Sequence, residues 1–174
     1  KFALLIFIFG SFNQIVSQND LSIMKTLQIV PDVIDSLPTQ LAQVHFSSGV
    51  RMSLGAELTP TQVKDMPSSV TWNGADSNAF YALTFDDPDV PNRHNRTKGE
   101  FLHWLVVNIP GDNVTKGETY TEYIGAGPAL DTGLHRYVLL VFKQPGVLTL
   151  NQTKVNSHSR EGRIRFKVRD FAHQ

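Results

Sequence analysis

A carboxylate turn, an isolated imidazole and a glycine-rich loop are the places where this chain can do chemistry. Asp86-Asp87-Pro88-Asp89-Val90-Pro91 follows a buried-type run, Tyr81 to Phe85. Its prolines stiffen the backbone as the chain leaves the strand, so Asp87 and Asp89 can be aimed. Taken alone, such a turn reads first as a solvated acidic turn that caps the strand and holds calcium or nothing. His103 lies inside Leu102-His103-Trp104-Leu105-Val106-Val107. An imidazole on an apolar strand must be hydrogen-bonded, or neutral and buried, which fits a satisfied core histidine as well as a pocket floor. Strand alternation groups His103 with Phe101, Leu105 and Val107 on one face. Gly125, Gly127, Pro128 and Gly133 then lead into His135-Arg136-Tyr137. Glycine opens backbone conformations closed to other residues, and consecutive N–H groups in such a loop can cradle an anion. His135 and Tyr137 share a strand face. Arg136 takes the other, where carbonyls or a carboxylate such as Asp89 can meet it.

Other chemistries lack their signatures. The glycine loop has neither the dinucleotide spacing nor the Gly-Lys-Ser/Thr ending of a phosphate loop, and there is no nucleophile elbow. His45, His94, His103, His135, His158 and His173 show no ligand spacing, and with no cysteine there is neither thiolate metal site nor cysteine nucleophile. The expectation is a binding protein without catalytic residues, metal or cofactor. Lys+Arg and Asp+Glu both number 16, so net charge gives no pull toward nucleic acid.

The elements that must hold these residues are mostly strands. A chain of 174 residues, 41% hydrophobic, suits one domain with one substantial core. Leu41 to Phe46 and Val50 to Leu54 flank a Ser47-Ser48-Gly49 turn, and Ala79 to Phe85, Phe101 to Asn108 and Arg136 to Phe142 are β-rich apolar runs. Ile29 to Asp35 reads as a turn into a short helix with Pro31 at its start, and Thr59-Pro60 opens another. Ile164, Phe166 and Val168 alternate as a strand would, while Ile164, Val168 and Phe171 fit a helix. The expected class is mainly β, with helices at the edge.

Phe2 to Gly10 is apolar behind Lys1, and polar residues follow from Ser11, the layout of a secretory leader. The run is too short to span a bilayer, so no stable membrane insertion is expected. Residues 1–18 are therefore expected to be a signal peptide cleaved near Ser17 or Gln18, with one domain over 19–174. Three glycosylation sequons, at Asn95, Asn113 and Asn151, agree with a secreted glycoprotein.

The helix start at Leu58 to Lys64, Asp87-Pro88-Asp89-Val90-Pro91, His103, Gly125 to Pro128 and Gly133 to Tyr137 stand in the order and spacing of the phosphatidylethanolamine-binding family. The chain resembles it over about residues 25 to 174, and among its members resembles the secreted insect antennal and related invertebrate ones. The resemblance implies a large antiparallel sheet packed on a smaller one, with peripheral helices. It also implies a pocket lined by Asp87, Pro91, His103, Gly125, Gly127, Pro128, His135 and Tyr137, and a cis peptide at Val90-Pro91. In that pocket His103 and His135 would donate to a phosphoryl oxygen, while Asp87 orients an imidazole or meets a headgroup amine. The implied partners are a phospholipid headgroup or another small anionic or hydrophobic ligand, odorants included. The alternative is inhibition of an extracellular serine protease, or modulation of signalling, by protein contact. Against the family pattern, Phe101 stands where a Trp or other bulky aromatic is common, and Gln174 falls inside a segment the family makes helical, ahead of a last strand and helix. The domain is thus expected to be C-terminally incomplete.

Overall fold

The computed structural model describes residues 2–9 and 17–173. In chain order the elements are β1 (Phe2–Phe9), α1 (Gln18–Thr26), α2 (Ile29–Asp32), β2 (Gln43–His45), β3 (Arg51–Met52), β4 (Ala56–Leu58), β5 (Ser69–Thr71), β6 (Phe80–Asp87), β7 (Phe101–Pro110), β8 (Glu118–Thr121), β9 (Arg136–Lys143) and α3 (Val168–Ala172). Single 3-10 turns lie at Pro60–Val63 and Val114–Lys116. A six-stranded sheet runs β4-β1-β9-β6-β7-β8 and a three-stranded one β3-β2-β5. Their pairs are antiparallel except β1 with β9.

The strands β6, β7 and β9 are apolar almost throughout because both faces of the large sheet are covered. On one face Tyr81, Leu83, Phe85, Trp104, Tyr137 and Leu139 pack with Val44, Met52, Val70 and Trp72 of the small sheet and its flanks. On the other, Val138 and Leu140 meet Met24, Ile29, Val33 and Ile34 of the N-terminal helical segment and Val168 of α3. Ala82, Leu102 and Leu105 meet Tyr120 and Phe171 there. Each Val, Leu, Ile, Met or Phe among them contributes about 1.5–3 kcal/mol by leaving water.

The β-rich runs form strands where expected. Short β4 and β8 and the helix α1 carry too little periodicity to be read in advance. α1 begins with a reciprocal cap: the Asp20 N–H donates to Ser17 Oγ at 3.1 Å and the Ser17 N–H to Asp20 Oδ2 at 3.1 Å. The two readings of the C-terminal stretch divide it between them, since Ile164 bridges to Phe101 and the helix starts only at Val168.

The apolar run of the expected leader is paired here as β1, between β4 and β9. Removal of residues 1–18 would take out that strand and Ser17, whose side chain caps α1, and leave the chain to begin inside the first turn of that helix. We expect N-terminal sequencing of the secreted protein to start near Gln18; retention of Phe2 would instead make β1 a permanent part of the sheet.

Asp86 points away from Asp87, onto the covered far face. It is wholly buried, and neither carboxylate oxygen has a hydrogen-bond partner. Burial, with the charge of Glu100 adding to it, pushes its carboxyl well above the usual carboxylate range. Glu100, which accepts the Val168 N–H at 2.8 Å, is itself pushed up to about 7 by burial. A carboxyl raised by folding gives its full stabilisation below its unfolded value and loses it as pH rises toward the folded one. Asp86→Asn is therefore expected to match the wild type near pH 4 and to exceed it by about 1–2 kcal/mol at pH 8. Urea unfolding at the two pH values checks this.

Candidate functional site

The site lies where the ends of β6, β7 and β9 meet the glycine loop. Two buried ion pairs fix β9 against the turn after β6, one on each face. On one, His135 Nδ1 lies 2.8 Å from Asp87 Oδ2, and Asp87 Oδ1 accepts the Asp89 N–H at 2.8 Å. On the other, Arg136 clamps Asp89: Nε to Oδ2 at 2.9 Å, Nη2 to Oδ1 at 2.6 Å and the backbone N–H to Oδ2 at 2.9 Å. The opposite facing expected of Arg136 is thus found, with Asp89 as its carboxylate. Arg136 Nη1 reaches further, to the carbonyls of Leu27 and Gln28 and to Asp32 Oδ2.

His103 reaches the cavity by a route that simple alternation misses. Phe85 pairs with Trp104 but Asp86 pairs with Leu102, so the register slips at His103. The bulge puts His103 and Trp104 on the same face, and Leu105 and Val107 consequently face away from His103, into the cluster with Leu102. The grouping of His103 with Phe101 holds, at 4.9 Å between ring centroids, and that with Leu105 and Val107 does not. The ring of His103 also lies edge-on to Phe85 and Tyr137.

The two imidazoles differ in charge. Burial lowers His103 to about 4, so it is neutral in ordinary conditions. Its Nδ1–H donates to the Ile124 carbonyl at 2.9 Å, which makes Nε2 an acceptor. This corrects the expectation that His103 donates to a phosphoryl oxygen. For His135 burial opposes the charge, but the hydrogen bond and charge of Asp87, with Asp89 behind it, raise it above the ordinary value of 6.5. When protonated it donates to Asp87 and, through Nε2, to the Thr132 hydroxyl at 2.9 Å. Tyr137 is raised by burial and by Asp87. Of the two roles expected for Asp87, orienting an imidazole is the one the geometry displays.

Asp87, Pro91, His103, Gly125, Gly127, Pro128, His135 and Tyr137 all line one cavity of about 380 Å³. The Val90-Pro91 peptide is cis. The two loop glycines are not equivalent. A Cβ on Gly125 would lie 2.6 Å from the Lys64 carbonyl oxygen, whereas one on Gly127 would meet open space. Neither has positive φ; Gly133, at +80°, does. The cavity also takes in Lys98, Ile124, Arg160 and Ile164, which sequence reasoning did not single out. Thr132 had a faint signal, three residues before His135 in the same loop; Arg160 and Ile164 had none, because the chain returns to the pocket there without a motif. Among the described residues no cluster of His, Asp and Glu could hold a metal, and no helix is long and apolar enough to cross a membrane.

A family model described as phosphatidylethanolamine-binding protein matches residues 43–173. Odorant-binding protein A5 of Drosophila melanogaster is 35% identical over 88% of this chain and 72% of its own length. The 26 kDa secreted antigen of Toxocara canis is 41% identical over 77% of this chain, which spans 52% of that relative. The solution structure of CG7054 is 41% identical with a TM-score of 0.65, covering 84% of this chain and 82% of that one. Carboxypeptidase Y inhibitor, solved in complex with its cognate proteinase, shares the fold at 22% identity and a TM-score of 0.75, over 90% and 88% of the two chains.

The opposed imidazoles give a direct test by NMR titration. His103 should stay neutral until about pH 4 and His135 should titrate above 6.5. Raised on folding, His135 stabilises fully below its unfolded value, and that contribution goes as pH rises through the folded one. His103, lowered, contributes above 6.5 and loses that contribution as pH falls toward 4. Asp87→Asn should return His135 to or below the ordinary value and cost about 3 kcal/mol; an unmoved His135 would contradict the pairing.

Proposed function

Because the chain belongs to the phosphatidylethanolamine-binding protein family, we propose that it is a secreted binding protein whose cavity takes a small phosphate-bearing ligand, a phospholipid headgroup above all. The observation that carries this is the meeting of the eight motif residues in one cavity of about 380 Å³. That volume lies toward the small end of ligand sites and suits a headgroup rather than a whole lipid. Exposed Lys98 and Arg160 on the lining supply positive charge, and Asp87 is already engaged by His135. His103 Nε2 asks for a hydrogen from the ligand. A protonated phosphate oxygen offers one, and so does a headgroup ammonium.

Secretion is supported by the leader-like N-terminus and by the name of one relative, the secreted antigen. Asn95, Asn113 and Asn151 are all exposed, so each sequon is open to modification. Among the described residues the hydroxyl set beside an imidazole here, Thr132 against His135 Nε2, gives its hydrogen to the Ala129 carbonyl rather than to the ring, which favours binding over catalysis.

Native mass spectrometry of the secreted protein, followed by release and identification of small molecules, tests the proposal. The expected result is a phosphate-bearing adduct, with phosphate-group affinity falling about tenfold in His135→Ala and unchanged in His94→Ala, an exposed loop position. Equal losses would remove the pocket assignment. An apo mass together with no affinity for any phosphate ester would remove the function.

A further inference from the structure

Two arginine side chains are among the largest wholly buried ones, and they are satisfied in opposite ways. Arg136 is neutralised by Asp89 and Asp32. Arg163 makes no ion pair among the described residues. Its guanidinium donates to five main-chain carbonyls instead: Nε to Ser159 at 2.8 Å, Nη1 to Leu102 at 3.1 Å and His103 at 3.2 Å, Nη2 to Glu122 at 2.8 Å and Asn156 at 2.9 Å. Its own carbonyl accepts the Leu102 N–H at 2.8 Å. Carbonyl dipoles solvate a charge locally but leave its net charge in place at longer range.

We propose that Arg163 is a positioning residue of the pocket and its buried source of positive charge: fastened behind the His103 backbone, it favours an anion in the cavity in front and holds the wall that carries Arg160 and Ile164. This rests on the anion-pocket reading. The guanidinium joins the His103 end of β7, the chain leaving β8 at Glu122 and the loop from Asn156 to Ser159, just beyond the last β7–β8 pair, Leu105 with Thr121, and the single bridge of Thr121 to Val155. His103 is in turn bonded to Ile124 through both ring and backbone, so the same knot sets the wall that leads to Gly125. The acidic group that Arg163 feels is Glu122, whose exposed carboxylate is taken up by the Ser157 N–H. Its charge also lies among the causes that hold His103 neutral, against the pull of Asp87. The other charged or titratable groups lining the cavity are Lys98, Arg160, His135 and Tyr137.

The exposed cations and the buried one respond differently to salt, because charges in solvent are screened within about 8 Å at physiological ionic strength and enclosed ones much less. The probe is inorganic phosphate, measured by calorimetry, together with the NMR titration of His103. In Arg163→Gln the His103 titration should move up from about 4 and phosphate affinity should fall about tenfold. Arg163→Lys, which keeps the charge and loses the fork, should restore most of the affinity while remaining less stable. A lost fold alone would move stability without this split. An unmoved His103 in Arg163→Gln overturns the inference whatever phosphate does, whereas a wild type that ignores phosphate overturns the anion-pocket reading instead. Should Arg163→Gln not fold, the double variant Lys98→Gln with Arg160→Gln decides. Phosphate binding that survives in it and changes little with salt supports Arg163. Complete loss overturns it.

Discussion

The clamp of Arg136 on Asp89 is the interaction from which the rest of this architecture hangs. It joins the turn after β6 to the first residue of β9, and so sets the distance between the two segments that supply Asp87, Pro91, His135 and Tyr137. The same guanidinium extends to the carbonyls at the end of α1 and to Asp32, where Arg96 also bonds at 2.9 Å. Arg93 adds a bond to the Leu27 carbonyl at 3.1 Å. One side chain therefore fastens the N-terminal cover to one face of the strand whose other face builds the pocket. Removing either member of a buried pair leaves a charge in a medium that cannot solvate it, at about 3–5 kcal/mol. Cover and pocket would both be affected.

The motif residues were legible because their chemistry demands them. An Asp-Pro-Asp turn at a strand end, a glycine loop and the alternation across His135, Arg136 and Tyr137 are local facts, and each survives folding. The long strands were legible for a similar reason, since a sheet covered on both faces forces apolar residues onto consecutive positions. What alternation could not deliver was the bulge at His103. A single extra residue leaves no trace in composition, yet it reverses the facing of Leu105 and Val107, until a second slip in the same strand returns Ile109 to the first face.

The protonation of the histidines was equally invisible in the chain. In sequence nothing sets their charges apart: one lies in an apolar strand and the other follows Leu134 at the end of the glycine loop. Their surroundings separate them: His103 is walled by Phe85, Phe101 and Tyr137 and bonded to a neutral carbonyl, while His135 is set between a carboxylate and a hydroxyl. The Arg163 knot was beyond reach for a different reason. Its partners are main-chain carbonyls, which any residue type provides, so no pattern of side chains announces them. Asp86 shows the converse, a charge-bearing type that sequence places with its acidic neighbours and the fold turns to the opposite face.

The steric difference between Gly125 and Gly127 bears on which replacements the loop can take. At 125 the Lys64 backbone occupies the place of a side chain, so replacement must part the pocket wall from the 3-10 turn beneath it. At 127 the space is open and φ is not in the left-handed region, so a small side chain fits without strain and would even narrow the freedom of the unfolded chain. A pair of glycines that reads as one motif thus does two different things: the first lets two backbones touch, and the second leaves room in the cavity that it lines.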